Sequence, residues 1–543
     1  MDTNIVKNGQ FNIGAICTRQ QCEAGRAEKV AMRWLTPTLE RTVYTFADLE
    51  KESNRFANLL LAQGAKPGTR IFIFLPKAPE VFSCLLGILK IQAIACTLFP
   101  NFGEDALLDR MADAGVELVI TKRSMLNRIR GIWPRLPTLR CAILTDLDVH
   151  ESSQVLSYSQ LMQAASPEYT TPLTPANTPS VLHYTSGSTG KPKGVLHIHQ
   201  SILMQSATTA QVLGLQLDDI FWCTADQAWV TGVSYGVFGP WSLGITQVHF
   251  GGAFDPETWF SLLERERVNV WYSAPTALRM LMRYEDELYQ RFDLSQLRQV
   301  SSVGEPLNPE VIHWSRQVLG KEIFDTWFQT ETGSIMIANR AGLAVKPGSM
   351  GKPAAGVEVA LLDDEGKPVP ALAQGNLCLK PGWPSMFITY LNNESAYQSK
   401  FKQGYYYTGD IAYQDEDGYY WFVGRSDDVI NTAGHLVSPF EVESALLEIP
   451  EIAEAGVIGA PDEILFEKVV AFVVFKDKIE WTPALELKIK KYVSNRASTI
   501  AAPQEIRVIP ALPKNKSGKI MRRVLRARYL GTEAGDLSTL EEF

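Results

Sequence analysis

The chain has 543 residues, with 52 Lys plus Arg against 60 Asp plus Glu, a formal net charge of −8. Apolar residues make up 45% and charged residues 21%, which excludes a disordered, fibrous or collagen-like chain, and the length accommodates about three domains, or one large unit and a small one. The acidic balance argues against non-specific binding to nucleic acid or to an anionic membrane.

The seven cysteines (Cys17, Cys22, Cys84, Cys96, Cys141, Cys223, Cys378) form no C-x-x-C pair and are odd in number. They read as reduced thiols of a cytoplasmic protein rather than as a disulfide framework. The start, Met1-Asp2-Thr3-Asn4, has neither a basic nor an apolar signal region, so no signal peptide is expected.

Thr45 is placed to cap a helix whose apolar positions include Phe46, Leu49, Phe56, Leu59 and Leu60, with Gly64 where it would stop. Arg70 to Leu75 is a short apolar run closed by Pro76 and suits a buried strand. Val81 to Phe99 is the most membrane-like stretch. It contains Ser83, Lys90 and Gln92, and a helix from about Pro79 to Ile91 running into a strand explains it better than a membrane span. A helix from Glu104 to Gly115 and a strand from Val116 to Thr121 follow. This alternation predicts βαβ units and a parallel sheet. Pro167, Pro172, Pro175 and Pro179 mark a loop or linker leading to a strand at Val181 to Tyr184.

A second break is expected near Gly424, where Gly424-Arg425-Ser426-Asp427-Asp428 reads as a polar turn after a strand at Tyr419 to Val423. Ser438-Pro439-Phe440-Glu441 then gives a capping box with proline at the first helical position. The rest holds two helix patterns and strands at about Gly456 to Ile458 and Val469 to Phe475. The division predicted is 1–426, a large α/β unit, and 427–543, a small α+β domain.

The strongest local signal is Thr185-Ser186-Gly187-Ser188-Thr189-Gly190-Lys191-Pro192-Lys193-Gly194. Glycines let the backbone expose N–H groups, and hydroxyls and lysines supply the donors and charge a polyphosphate needs. It is not a Walker A loop, because only two residues separate Gly187 from Gly190 and Pro192 follows Lys191. Nor is there a G-x-G-x-x-G fingerprint.

This loop resembles the signature of adenylate-forming enzymes: acyl-CoA synthetases, peptide-synthetase adenylation domains and luciferases. Further segments resemble the family in order: Trp229 to Gly232, Tyr272 to Arg279, Gly304-Glu305-Pro306, Asp325 to Gly333, Tyr407 to Asp410, Gly424 to Asp428, and Ser517 to Arg523. The resemblance runs from about residue 40 to 530 and is greatest to the AMP-forming acetyl-CoA synthetases. It implies ATP, Mg²⁺ and coenzyme A as cofactor and substrates, a small carboxylate as the acid, and no nucleic-acid partner or membrane span.

Residue by residue, the resemblance assigns the 185–194 loop, with Lys191 and Lys193, to the β- and γ-phosphates. Glu331 is assigned to Mg²⁺, and Gly304, Glu305, Pro306, Asp325, Thr326 and Trp327 to the adenine. Gln329 belongs to the same nucleotide site, and Thr330 reaches the α-phosphate. Asp410 takes the ribose hydroxyls as a bidentate acceptor, helped by Arg425. Lys519 is the catalytic lysine, carried in by the small domain acting as a mobile lid to the large multi-sheet unit, and a target for acetylation and deacetylation. Asp427 is the hinge, and Trp229 and Gly434 flank a pantetheine tunnel. Val230, Thr231, Val303 and Phe328 form the acyl pocket.

Phe328 stands where acetate-specific relatives carry Trp and medium-chain relatives carry Gly, which predicts a short pocket tolerant of propionate. Leu436 stands where those relatives place an arginine, and 436–441 looks more like the benzoate and medium-chain branch. Two alternatives therefore accompany acetate activation: a medium-chain or aryl carboxylate-CoA ligase, and a non-catalytic nucleotide-binding carrier or sensor.

Overall fold

Thr45 opens the Phe46–Ala62 helix with a reciprocal cap. Its hydroxyl oxygen accepts from the Asp48 amide at 3.1 Å, and Asp48 Oδ2 accepts from the Thr45 amide at 2.9 Å. Two otherwise unpaired donors of the first turn are thereby satisfied. The computed structural model describes residues 5–540 apart from 187–190, 283, 285, 434, 477–478, 516–518, 535–536 and 538–539.

The membrane-like stretch is the Pro79–Lys90 helix followed by the Ile94–Thr97 strand, buried on both faces. Among the described residues no helix is long and apolar enough to cross a membrane. The Glu104–Ala114 helix ends at Gly115, whose φ of 58° is the left-handed conformation glycine adopts without a Cβ penalty. The strands of this region align in parallel as their alternation with helices predicts, in the order Ile94–Thr97, Arg70–Ile73, Leu118–Thr121, Cys141–Leu144, Val155–Ser157.

This eight-stranded sheet continues past Ile94–Thr97 to Pro179–Ser186, then to Pro192–Ile198 and Thr389–Tyr390, which run antiparallel. A second sheet of fourteen strands has a parallel core of Val30–Leu35, Thr246–Phe250, Ile220–Cys223, Val270–Ser273, Gln299–Val303 and Ile323–Trp327. Antiparallel strands extend it to Tyr420–Arg425 and Tyr405–Gln414. The two helices Phe46–Ala62 and Pro79–Lys90 fill the space between the sheets with Phe46, Phe56, Phe82 and Leu85, against Ile71 and Leu118 on one side and Met32 and Trp241 on the other. The third sheet has five strands between Ile430 and Val508 and its own core around Val442, Val457, Val469 and Val493.

Three sequence expectations need correction. Gly424 and Arg425 are not in the turn but end the Tyr420–Arg425 strand, because Ile411 and Asp410 pair with them across the ladder. The turn begins one residue later, where the amides of Asp428 and Val429 both reach the Arg425 carbonyl. The strands expected near Gly456 and Val469 are longer, Ile452–Asp462 and Phe466–Phe475, since a tight hairpin pairs them throughout. The small unit also holds a third helix, Arg522–Leu530, whose basic residues conceal a buried stripe of Val524, Leu525 and Ala527. At the Ser438 cap, the Ser438 side chain accepts from the Glu441 amide at 3.1 Å as expected, with Pro439 first in the helix.

None of the seven cysteines is disulfide-bonded; Cys22 is half-buried and the other six are buried. The Lys90 side chain has no exposed surface, and its ammonium donates to Glu50 Oε2 at 2.6 Å and Asn54 Oδ1 at 2.7 Å. Glu50 also accepts from Thr18 at 2.6 Å. Removing one member of such a pair strands the other charge, so Glu50→Ala should destabilise the chain by about 3–5 kcal/mol. The double substitution Glu50→Leu with Lys90→Met should recover most of the loss, read as the denaturant midpoint. A double variant no better than the single would show that the pair itself, not its stranded partner, carries the effect.

Candidate active site

The glycine-rich segment joins the paired strands Pro179–Ser186 and Pro192–Ile198, in which Thr185 stands opposite Lys193 and Ser186 opposite Pro192. Gly187, Ser188, Thr189 and Gly190 lie outside the described residues. Lys191 is exposed. Lys193 is half-buried, and its ammonium lies 5.5 Å from the centre of the Tyr390 ring. In these strands His183 and His197 are buried with ring centres 6.1 Å apart. Burial pulls both imidazoles below their usual range, His183 to about 3. They therefore add no positive charge under the loop near neutral pH.

The Thr330–Glu331 segment lies against this hairpin. His197 Nε2 donates to the Thr330 carbonyl at 2.8 Å. Tyr390 donates to Glu331 Oε1 at 2.7 Å.

Gly304 follows the Gln299–Val303 strand with φ 96°, a conformation that excludes a side chain. The Glu305 carboxylate is engaged by Arg279 at 2.6 Å and by Thr276 at 2.8 Å. Glu305 and Pro306 line a crevice whose opposite wall carries Glu443, Lys514, Lys519 and Arg522 of the small unit. In the neighbouring strand Thr326 donates to the Ser302 carbonyl at 2.7 Å and lies 2.7 Å from the Tyr272 hydroxyl. Asp325 is buried, and burial pushes its carboxyl up to about 8.

Asp410 joins several of these stretches. Its side chain is only 4% exposed. Oδ1 accepts from Arg425 at 3.0 Å, and Oδ2 accepts from Trp327 Nε1 at 3.1 Å and Gln329 Nε2 at 3.0 Å. A carboxylate offers about four acceptor positions, so three donors leave about one for a ligand. Burial pushes the carboxyl up, against the pull of Arg425 and Lys519. Burial also works against the charge on Arg425, but Asp410, Asp427 and Glu331 outweigh it and push the guanidinium further up.

Lys519 approaches from the small unit, held by its amide to Asn515 Oδ1 at 2.9 Å. Within the basic run, Lys514 pairs with Glu454 at 2.6 Å, Arg522 with Glu443 at 2.6 Å and Arg526 with Glu467 at 3.0 Å. Among the described residues no ion pair or hydrogen bond engages the Lys519 ammonium. Lys519 is exposed along the crevice; desolvation by the surrounding protein and the nearby Arg425 pull its amine below the ordinary lysine range, against Asp428 and Asp410.

Val230, Thr231 and Val303 are buried. Phe328 packs edge-on against Tyr235, ring centres 5.6 Å apart. The Tyr235 hydroxyl is fixed by Thr208 and the Ile335 amide, each at 2.7 Å. Trp229 is half-buried and meets Phe99 edge-on at 4.8 Å. Asp427 is exposed, 3.7 Å from Arg425 Nε. Leu436 is exposed, and Gly434 lies outside the described residues.

The structure adds residues to which sequence reasoning gave no role: Arg279, at the end of the Tyr272 to Arg279 segment, with His197, Tyr390, Tyr235 and Lys400. Lys400 is half-buried, and burial pulls its amine down while Glu331 pulls it up. The alternation Leu196-His197-Ile198 on a buried strand was the one available signal, since a buried histidine needs a partner.

The family model described as AMP-binding enzyme matches residues 18–391, and that described as AMP-binding enzyme C-terminal domain matches 441–519. The chain is 46% identical over 536 residues to the acetyl-coenzyme A synthetase of Bacillus subtilis strain 168, covering 98% of this chain and 93% of that protein. It is 37% identical to that of Streptomyces coelicolor, covering 99% of this chain and 86% of that protein. Among solved structures, the anthranilate CoA ligase AuaEII in complex with anthranoyl-AMP superposes with a TM-score of 0.88 at 29% identity, covering 97% and 99% of the two chains. A benzoate CoA ligase from Burkholderia xenovorans gives 0.83 at 26% identity, covering 95% and 99%.

The buried Asp325 carboxyl makes a measurable prediction. Its folded pKa of about 8 exceeds the unfolded value of ~3.9, so the folded state keeps a proton the unfolded chain has lost, and stability falls as pH rises through that window. Asp325→Asn should flatten the profile of melting temperature between about pH 4 and 8. Parallel profiles for the two proteins would show that the carboxyl titrates normally.

Proposed function

The chain belongs to the AMP-binding enzyme family, and on that premise we propose that it activates a short-chain carboxylate, acetate first, in two steps. A carboxylate oxygen attacks the α-phosphorus of ATP, the bond to the bridging oxygen breaks, and pyrophosphate leaves. The sulfur of coenzyme A then attacks the acyl carbon, loses its proton, and AMP departs with the bonding electron pair. The observation that carries the reading is the Lys519 ammonium, which has no ion pair or hydrogen bond among the described residues while Lys514, Arg522 and Arg526 are paired, and which lines the crevice shared with Glu305 and Pro306.

The first step brings two anions together, so the protein must hold them and meet developing charge with fixed donors. Lys519 and Thr330 meet the α-phosphate. Asp410 takes a ribose hydroxyl at its open acceptor position, and Arg425, Trp327 and Gln329 keep its carboxylate aimed. The Thr185–Lys193 hairpin takes the outer phosphates, and Gly304 to Pro306 with Asp325 to Trp327 line the adenine. Among the described residues no three acidic, His or Cys side chains cluster to cage a metal. Glu331 offers a hard carboxylate oxygen, Oε2, that carries no hydrogen bond among the described residues. That suits Mg²⁺, which binds one or two carboxylates together with substrate phosphates. The cation neutralises phosphate charge when bound.

A lid extending from about residue 427, turning at the exposed Asp427, accounts for one lysine serving the first step and a tunnel past Trp229 and Gly434 serving the second. Acetylation of Lys519 by a lysine acetyltransferase, reversed by a deacetylase, removes the charge the first step needs. The reading places the enzyme in the cytoplasm.

Phe328, braced by Tyr235, with Val230, Thr231 and Val303, closes a short acyl pocket. The aromatic-acid ligases among the structural neighbours favour a second reading, an aryl carboxylate-CoA ligase, so aryl acids belong in the test. Exchange of labelled pyrophosphate into ATP should be fastest with acetate, then propionate, over a panel including hexanoate, benzoate and anthranilate. Exchange fastest with benzoate or anthranilate would establish the second reading, and exchange with no acid would overturn catalysis itself. Lys519→Ala should slow exchange by about 100- to 1,000-fold, the usual cost of one transition-state donor, while thioester formation from preformed acyl-AMP persists. Equal losses in both half-reactions would refute the role given to Lys519. Phe328→Gly should move the preference toward longer acids, since each methylene is worth about 1–3 kcal/mol in such pockets. An unchanged chain-length profile would rule out Phe328 as the gate.

A further inference from the structure

One strand supports more of the site than the phosphate loop. Pro192–Ile198 forms a leg of the hairpin and carries Lys193 near its start. Four residues on, His197 is 4% exposed, and its Nε2 lies 2.8 Å from the Thr330 carbonyl. A carbonyl only accepts, so this nitrogen bears the proton. The fit is tight: a Cβ added to Gly333 would meet His197 Cε1 at 2.8 Å.

On its other edge the same strand pairs with Thr389–Tyr390, with Thr389 opposite Leu196 and Tyr390 opposite Val195. From there the Tyr390 hydroxyl donates to Glu331 Oε1 at 2.7 Å, and the Phe387 amide donates to the Glu331 carbonyl at 3.0 Å. The backbone on each side of the Glu331 side chain and one oxygen of its carboxylate are thus tied, directly or through one residue, to the strand that bears the phosphate loop. The Glu331 segment is therefore tied to the strand that carries Lys193.

We infer that His197 and Tyr390 are positioning residues that fix the free oxygen of Glu331 relative to the phosphate loop, at the place where a divalent cation arrives on the triphosphate. Neither touches the reacting atoms. The inference rests on the assignment of Glu331 to the cation. A phenol donating to a carboxylate is a charge-assisted bond, and the second oxygen carries no hydrogen bond among the described residues.

The experiment uses the full chain and Mn²⁺ as the cation. Mn²⁺ is titrated into enzyme holding ATP, with no carboxylic acid present, and bound ion is read from the loss of the free Mn²⁺ paramagnetic resonance signal. ATP affinity without a cation is measured separately by calorimetry. Tyr390→Phe removes one oxygen and leaves the ring in place. It should raise the Mn²⁺ concentration for half-saturation by about tenfold, the low end of what outer-shell partners of a metal ligand contribute, with cation-free ATP affinity unchanged. His197→Leu should do the same, and His197→Gln, which keeps an N–H donor, should restore most of the affinity. Glu331→Gln separates the two levels of the argument. If it weakens Mn²⁺ binding while Tyr390→Phe titrates like the unsubstituted enzyme, the positioning role is wrong and the Glu331 assignment stands. If Glu331→Gln also titrates like the unsubstituted enzyme, the assignment of Glu331 to the cation fails.

Discussion

A carboxylate cannot be kept almost dry without donors converging on it, and Asp410 is such a carboxylate. Its side chain is 4% exposed, and its donors come from the Tyr420–Arg425 strand, from the end of the Ile323–Trp327 strand, and from Gln329 just beyond it. Losing Arg425 would leave Oδ1 unpaired, and Oδ2 keeps a partner only while Trp327 or Gln329 remains. The antiparallel extension of the large sheet, the register that sets Asp410 opposite Arg425, and the course of the chain after Trp327 meet this requirement. The same donors adjoin the site, because Gln329 precedes Thr330 and Glu331, and Arg425 precedes the turn into the small unit.

The charges of the small unit are distributed by the same logic. Arg522 is absorbed by the buried Glu443 within the small unit, and Asn308 of the large unit reaches across to Ser444 at 2.9 Å. Against that neutralised background Lys519 stands as an uncommitted cation in the field of Arg425, Asp428 and Asp410. The net charge of −8 describes the chain poorly in this respect. Catalytically useful charge is the charge for which no internal partner has been supplied.

Local features were readable from the sequence because their causes are local. The Thr45 cap, the Gly115 stop and the Pro79–Lys90 helix each depend on residues close in sequence. The family resemblance brought together motifs that composition and periodicity could not have joined. What escaped were contacts between distant stretches that no motif marks. His197 meets Thr330 and Tyr390 meets Glu331 only because two strands lie side by side in one sheet. The extension of the Tyr420–Arg425 strand through Gly424 was hidden because a Gly-Arg-Ser-Asp run looks like a turn until its ladder partner is known. The Arg522–Leu530 helix was hidden because only three apolar residues face its core.

The buried cysteines acquire a meaning beyond the absence of disulfides. Burial pushes the Cys141 thiol up to about 11 and those of Cys223 and Cys378 to about 12, and carries Cys17 and Cys96 higher still. An acyl adenylate reacts with any thiolate within reach, and an ordinary thiol with a pKa near ~8.5 is a few per cent ionised at neutral pH. These side chains are almost wholly protonated there and walled off by the core. Among the seven cysteines only Cys22 is partly exposed, so an acyl adenylate meets few thiols of the catalyst in competition with the incoming substrate thiol.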